Sequence, residues 1–215
     1  MDKLFLTALL MGMSVSGIHA QNATIEPTFT EWHDLQVNAV NRFATHTDFF
    51  AFAPFENLRG TKFDMKKSAN YLSLDGDWKF NWVENADQRP TDFFRTDFDD
   101  SLWKTFPVPG IWEVNGYGDP VYVNIGFAWR GNFKNNPPEV PIKENHVGSY
   151  RRTIRIPDNW DGKQVIAHFG SVTSCVYLWV NGKFVGYSED SKIGPEFDVT
   201  KFLKKGDNQI AFQVF

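Results

Sequence analysis

A single cysteine, Cys175, in 215 residues leaves no internal disulfide to form, which excludes a small disulfide-stapled fold. Charge of one sign is also scarce: 26 acidic against 22 basic side chains give a net charge of −4, so nothing draws the chain to nucleic acid. The longest apolar run, Leu4 to Val15, is too short to span a bilayer. No Gly-x-Gly-x-x-Gly or phosphate-loop pattern occurs, and no Gly-x-Ser-x-Gly elbow. The five histidines (19, 33, 46, 146, 168) show no His-x-His or i,i+4 spacing and Cys175 lies mid-strand, so no zinc site is expected. Lys201, Lys204 and Lys205 cluster, but such a group is ordinarily a solvated face.

Aromatic residues, by contrast, are abundant, at 16% with eight Trp and twenty-one Phe. Such an excess suits β-rich domains, whose pleated half-buried surfaces rings fill, and sugar-contacting surfaces. The first twenty residues are read as a secretory signal, with an apolar segment of fitting length and small residues leading to Ala20. Cleavage is expected after Ala20, so the protein is expected to be exported, periplasmic or extracellular. Residues 21–69 are polar and aromatic without clear period and read as an extended arm.

From residue 70 the chain reads as strands. Asp75-Gly76 is a turn signal, after which Trp78, Phe80 and Trp82 share one face at period 2. Tyr150, Ile154 and Ile156 share a face, with Arg151, Thr153 and Arg155 opposite, and Pro157 ends the run. Cys175 to Val180 is apolar on both faces and should be central. Asn181-Gly182, the preferred pair for a type I′ hairpin, joins it to the strand starting at Lys183. Short strands at Val165–Phe169 and Glu196–Val199 follow the same pattern, and Gly206-Asp207-Asn208 turns the chain into a last one. Short strands at regular spacing with almost no helical period mean an all-β sandwich. The chain stops at Phe215 inside an apolar strand, so residues 70–215 are expected to be a sandwich truncated at its C-terminal strand, part of something longer.

Several ordered segments carry a resemblance. Leu74-Asp75-Gly76-Asp77-Trp78-Lys79-Phe80, Val108-Pro109-Gly110-Ile111-Trp112-Glu113, residues 116–124, residues 147–152 and residues 180–191 occur in that order. Together they resemble the N-terminal sugar-binding domain of family 2 glycoside hydrolases of the large β-galactosidase type. The segment Val37 to Arg42 with His46 resembles the stretch preceding that domain. The resemblance implies a jelly-roll β-sandwich, agreeing with the strand count made without it. It also implies a retaining enzyme whose two catalytic carboxylates lie on a downstream barrel, so no catalytic residue is expected here. Glu113 and Glu196 are the acidic pair one would consider, yet nothing in the sequence brings them together.

Two residues carry over from the family pattern. Asn124, in Tyr122-Val123-Asn124, is implied to bond a sugar hydroxyl. Asp190, in Gly186-Tyr187-Ser188-Glu189-Asp190-Ser191, is implied to hold a hydroxyl and a sodium ion. The residue types suit those tasks, because an amide both donates and accepts while a carboxylate accepts from hydroxyls and ligates hard cations. Both types are also common in turns, which is the competing reading. The loop between Ile125 and His146 departs from the family pattern. Trp112 is expected to pack in the core, and Trp129 is left open between core and sugar stacking. A magnesium ion would belong to the missing catalytic domain. The expected partners are a β-galactoside oligosaccharide and the remaining domains of the parent chain, with a homo-oligomer left open. The alternative is a stand-alone, non-catalytic carbohydrate-binding module, since fold does not fix function.

Overall fold

The computed structural model describes residues 26–62, 64–120 and 139–215. The expected signal segment and Asn124 lie outside the described residues, as does Trp129. Nine strands occur among the described residues: β1 (Ala39–Val40), β2 (Gly76–Val83), β3 (Lys104–Val108), β4 (Val147–Arg155), β5 (Ile166–His168), β6 (Cys175–Val180), β7 (Lys183–Glu189), β8 (Glu196–Asp198) and β9 (Asp207–Val214). Seven form one antiparallel sheet in the order β1-β7-β6-β9-β4-β2-β3, and β5 pairs with β8 in a small second sheet. The only helical elements among the described residues are single 3₁₀ turns, so the fold is all-β, as a jelly-roll sandwich requires.

The period-2 side chains explain how the layers stack. On the first face of the large sheet, Trp78 and Phe80 of β2, Tyr150 of β4, Leu178 of β6 and Phe212 of β9 form one buried cluster. Phe197 of β8 joins it, with Ala167 of β5 packed against it, so the two-stranded sheet covers this face. Tyr150 and Phe212 stack at 4.4 Å between ring centroids, and Trp78 meets Phe212 edge-on at 4.9 Å. Trp112 packs against the same cluster and its Nε1 donates to Tyr150 Oη at 2.6 Å, so its role is in the core.

The opposite face is also covered, which is why β6 reads apolar throughout. Cys175, Tyr177 and Trp179 of β6 bury there with Phe93 and Phe215. The irregular segment between β2 and β3 supplies Phe93, Phe94 and Trp103, and Phe94 stacks on Trp179 at 5.0 Å with planes 4° apart. β6 is therefore central and wholly buried. The two-residue turn after it has φ of 52° at Asn181 and 78° at Gly182, both left-handed, as a type I′ turn demands.

The arm contributes to this second layer. Phe29 stacks near Tyr177 and Trp179, and Trp32 lies over Phe215 at 5.1 Å. Glu31 is buried, with Oε2 accepting from Tyr177 Oη at 3.0 Å and Oε1 from the Thr28 amide at 2.7 Å. Burial pushes its carboxyl up, but the Thr28 bonds and the Tyr177 hydroxyl together pull it below the ordinary carboxylate value. β1 then pairs Ala39 with Ser188 and Val40 with Tyr187, extending the large sheet by one short strand. That pairing is close: a Cβ on Gly186 would stand 2.5 Å from the Val40 carbonyl oxygen, so only glycine fits there.

Candidate functional site

The site residue that can be placed is Asp190. It follows β7 directly, where the strand runs out and the chain turns at φ 97°, a left-handed value that Asp tolerates better than most side chains. Its carboxylate is exposed, and Oδ1 accepts from the Lys192 amide at 2.8 Å, an Asx turn. Asp190 is thus a turn-former whose carboxylate is open to solvent.

The stem below this loop is tied down. Arg42 of the arm donates from Nη1 to Ser188 Oγ at 3.0 Å and to the Glu189 carbonyl at 3.2 Å, and the Glu189 amide donates to the Asn38 carbonyl at 3.0 Å. The neighbouring Glu189 side chain turns toward the strand, where Oε1 accepts from Tyr187 Oη at 2.7 Å. Beyond Asp190, the Ser191 carbonyl accepts from Ser171 Oγ at 2.8 Å, joining the loop to the segment after β5. A loop with a fixed stem presents its carboxylate in a defined direction, and a binding group needs that.

Next to this loop a cleft of about 2240 Å³ runs between the first face of the large sheet and the small sheet. Trp78, Trp82 and Tyr150 line it from one side, His168 and Glu196 from the other, and Ser171 lies on its border. Asp190 is not among the lining residues, and Asn124 is outside the described residues, so these two are not brought together by anything that can be described. Glu113 and Glu196 both line the cleft but sit on different elements, the turn after β3 and strand β8. Both oxygens of Glu196 are engaged, Oε2 with His46 Nε2 at 2.8 Å and Oε1 with His168 Nδ1 at 3.0 Å.

Among the described residues no group of three or more His, Cys, Asp or Glu side chains is placed to hold a metal ion. Cys175 is buried and its thiol is pushed up to about 12 by desolvation, so it is neither a nucleophile nor a metal ligand at neutral pH. No helix among the described residues is long and apolar enough to cross a membrane.

Three polar arrangements escaped the sequence reading. Arg151 is 3% exposed and pairs with Asp100 at 2.7 Å, Glu31 is bonded to Tyr177, and Glu196 takes two histidines. Their partners lie 51, 146, 150 and 28 residues apart, too far for any local spacing to announce them.

Comparison with known proteins supplies the remaining context. The profile of "Glycosyl hydrolases family 2, sugar binding domain" matches residues 71–215. A β-galactosidase of Priestia megaterium is 38% identical over 188 residues, covering 87% of this chain and 18% of that protein. A β-galactosidase of Lactobacillus delbrueckii subsp. bulgaricus is 40% identical over 182 residues, covering 85% of this chain and 17% of that protein. The chain thus spans under a fifth of the length of these relatives. Among solved structures, a β-glycosidase from Bacteroides vulgatus aligns with a TM-score of 0.49 and 24% identity, over 66% of this chain and 16% of that one.

Proposed function

The chain belongs to glycosyl hydrolase family 2 through its sugar binding domain, and from that membership we propose that it is the N-terminal, substrate-facing portion of an exported, retaining β-galactosidase. The observation that carries the galactose reading is the 38–40% identity to proteins named β-galactosidase along 85–87% of the chain. The signal-like first twenty residues support export.

In this reading the chain binds and orients, and the remaining domains of the parent perform the chemistry. Asp190 accepts a hydrogen bond from a sugar hydroxyl, and its exposed carboxylate on a fixed stem suits that task. Asn124 supplies a second bond, donating or accepting through its amide. Asp190 also contributes one carboxylate oxygen to a sodium ion, which would hold the sugar hydroxyl against the same loop. Any magnesium ion belongs to the parent's other domains. No residue of this chain takes the acid/base or nucleophile role, in keeping with the engaged state of Glu196 and its separation from Glu113 by element. The second reading, a non-catalytic carbohydrate-binding module, would use the aromatic-lined cleft alone.

The test is substrate preference. A site that hydrogen-bonds a particular hydroxyl rejects analogues that present it wrongly, because its buried polar groups are then left unpaired. The full-length protein is expected to hydrolyse a nitrophenyl β-galactoside with kcat/KM about a hundredfold or more above the matching β-glucoside and β-glucuronide. Equal rates, or a preference for the glucuronide, would refute the galactose assignment.

A further inference from the structure

The arm is fastened beside the cleft by a cluster that plays no part in the galactoside reading. On the arm, His46 places Nε2 2.8 Å from Glu196 Oε2 and Nδ1 2.9 Å from the Thr47 carbonyl oxygen. A carboxylate and a peptide carbonyl both only accept. A neutral imidazole has one N–H and can satisfy one of them, whereas the imidazolium satisfies both. From β5, His168 meets the other oxygen of the same carboxylate at 3.0 Å. Backbone contacts flank the cluster: the Phe43 amide donates to the Glu196 carbonyl at 3.0 Å, and Arg42 bridges to Phe197.

What this fastening positions is aromatic. The ring of Phe49 lies 5.3 Å from that of His46, and Phe49 and Phe50 border the cleft together with His168 and Glu196. Both phenylalanines are largely exposed, so little packing holds them there. We propose that residues 42–50 are a proton-held strap at the cleft rim, in which the imidazolium of His46 clamps the arm to Glu196 and loss of its proton frees Phe49 and Phe50 from the rim.

The charged groups acting on His46 are consistent in sign. Glu196 faces it from β8 and Asp48 from the arm itself, both negative, while His168 on β5 shares the Glu196 carboxylate with it. The Thr47 carbonyl foremost, then the Glu196 carboxylate, raise the His46 pKa above the ordinary 6.5. A pKa raised on folding contributes stability that is fully present below the ordinary value and is lost as pH climbs through the raised one. The strap is accordingly closed in mild acid and open in alkali.

Amide hydrogen exchange of the full chain at pH 6 and pH 9, corrected for the intrinsic pH dependence of exchange, reads the strap directly. Residues 42–50 are expected to lose protection several-fold at pH 9 while β6 and β9 do not change. In His46→Gln the same residues should be weakly protected at both pH values. Equal protection of the wild-type strap at pH 6 and pH 9 overturns the proposal, as does an undiminished pH dependence in His46→Gln. If that variant misfolds, seen as lost protection in β6 and β9, the wild-type imidazole titration by NMR decides. A His46 midpoint above 6.5 upholds the strap, and one at or below 6.5 refutes it.

Discussion

Replacing Arg151 by methionine is expected to lower the unfolding free energy by about 3–5 kcal/mol, the range for breaking a buried ion pair from one side. Arg151 sits on the second face of β4, 3% exposed, with Nε donating to Asp100 Oδ2 at 2.7 Å. Its remaining N–H groups reach the carbonyls of Phe93, Arg95 and Phe98, so one guanidinium organises the whole irregular segment between β2 and β3. The same side chain lies 5.3 Å from the Phe98 ring centroid. Methionine fills part of the volume and satisfies none of the acceptors, and an orphaned buried acceptor costs its desolvation in full. Asp100 keeps some water contact, which places the effect toward the lower end of the range. The control is Arg155→Met on the same strand, whose pair with Asp207 is 3.9 Å long and exposed on both sides. That change should stay within about 0.5 kcal/mol. Urea midpoints at constant slope separate the two, and an Arg151→Met as mild as Arg155→Met would show that the guanidinium does not hold this segment.

Asp190→Asn in the full-length protein is expected to reduce kcat/KM on a β-galactoside by roughly 10- to 100-fold. A hydrogen bond to a charged acceptor contributes about 1.5–3 kcal/mol, and about 1.36 kcal/mol is a factor of ten. The amide keeps an acceptor for the Lys192 amide, so the Asx turn survives and the loss reports on the charge rather than on the fold. Loss of a sodium ligand would enlarge the effect, and the wild type should respond to sodium where the variant does not. Glu189→Gln is the matching control, because that side chain faces Tyr187 and glutamine still accepts from its hydroxyl. Equal, near-normal kcat/KM in both variants with unaltered melting would make Asp190 a turn residue only.

Where local rules act alone, the sequence is legible. The Asn181-Gly182 turn, the alternation of Trp78 and Phe80, and the two-sided apolar run of β6 each encode their structure within a few residues, and each is found as read. The polar side of β4 is a different case. Period 2 puts Arg151 opposite Tyr150 but does not say what covers it, and the covering segment has no period of its own. Glu31 of the arm likewise finds Tyr177 across 146 residues of chain. At the candidate site, the stem of the Asp190 loop was legible from the hairpin before it. The Arg42 bonds that steady that stem, and the histidines on Glu196, arise only when the arm folds back over β7 and β8.

The proposed division of labour between this chain and the other domains of a longer parent is tested most directly by turnover of a chromogenic β-galactoside. Purified residues 21–215 are expected to show none above a heat-denatured control, while the longer polypeptide that contains them hydrolyses the substrate. Turnover by residues 21–215 alone would contradict the account, because it would require a catalytic carboxylate pair within this domain.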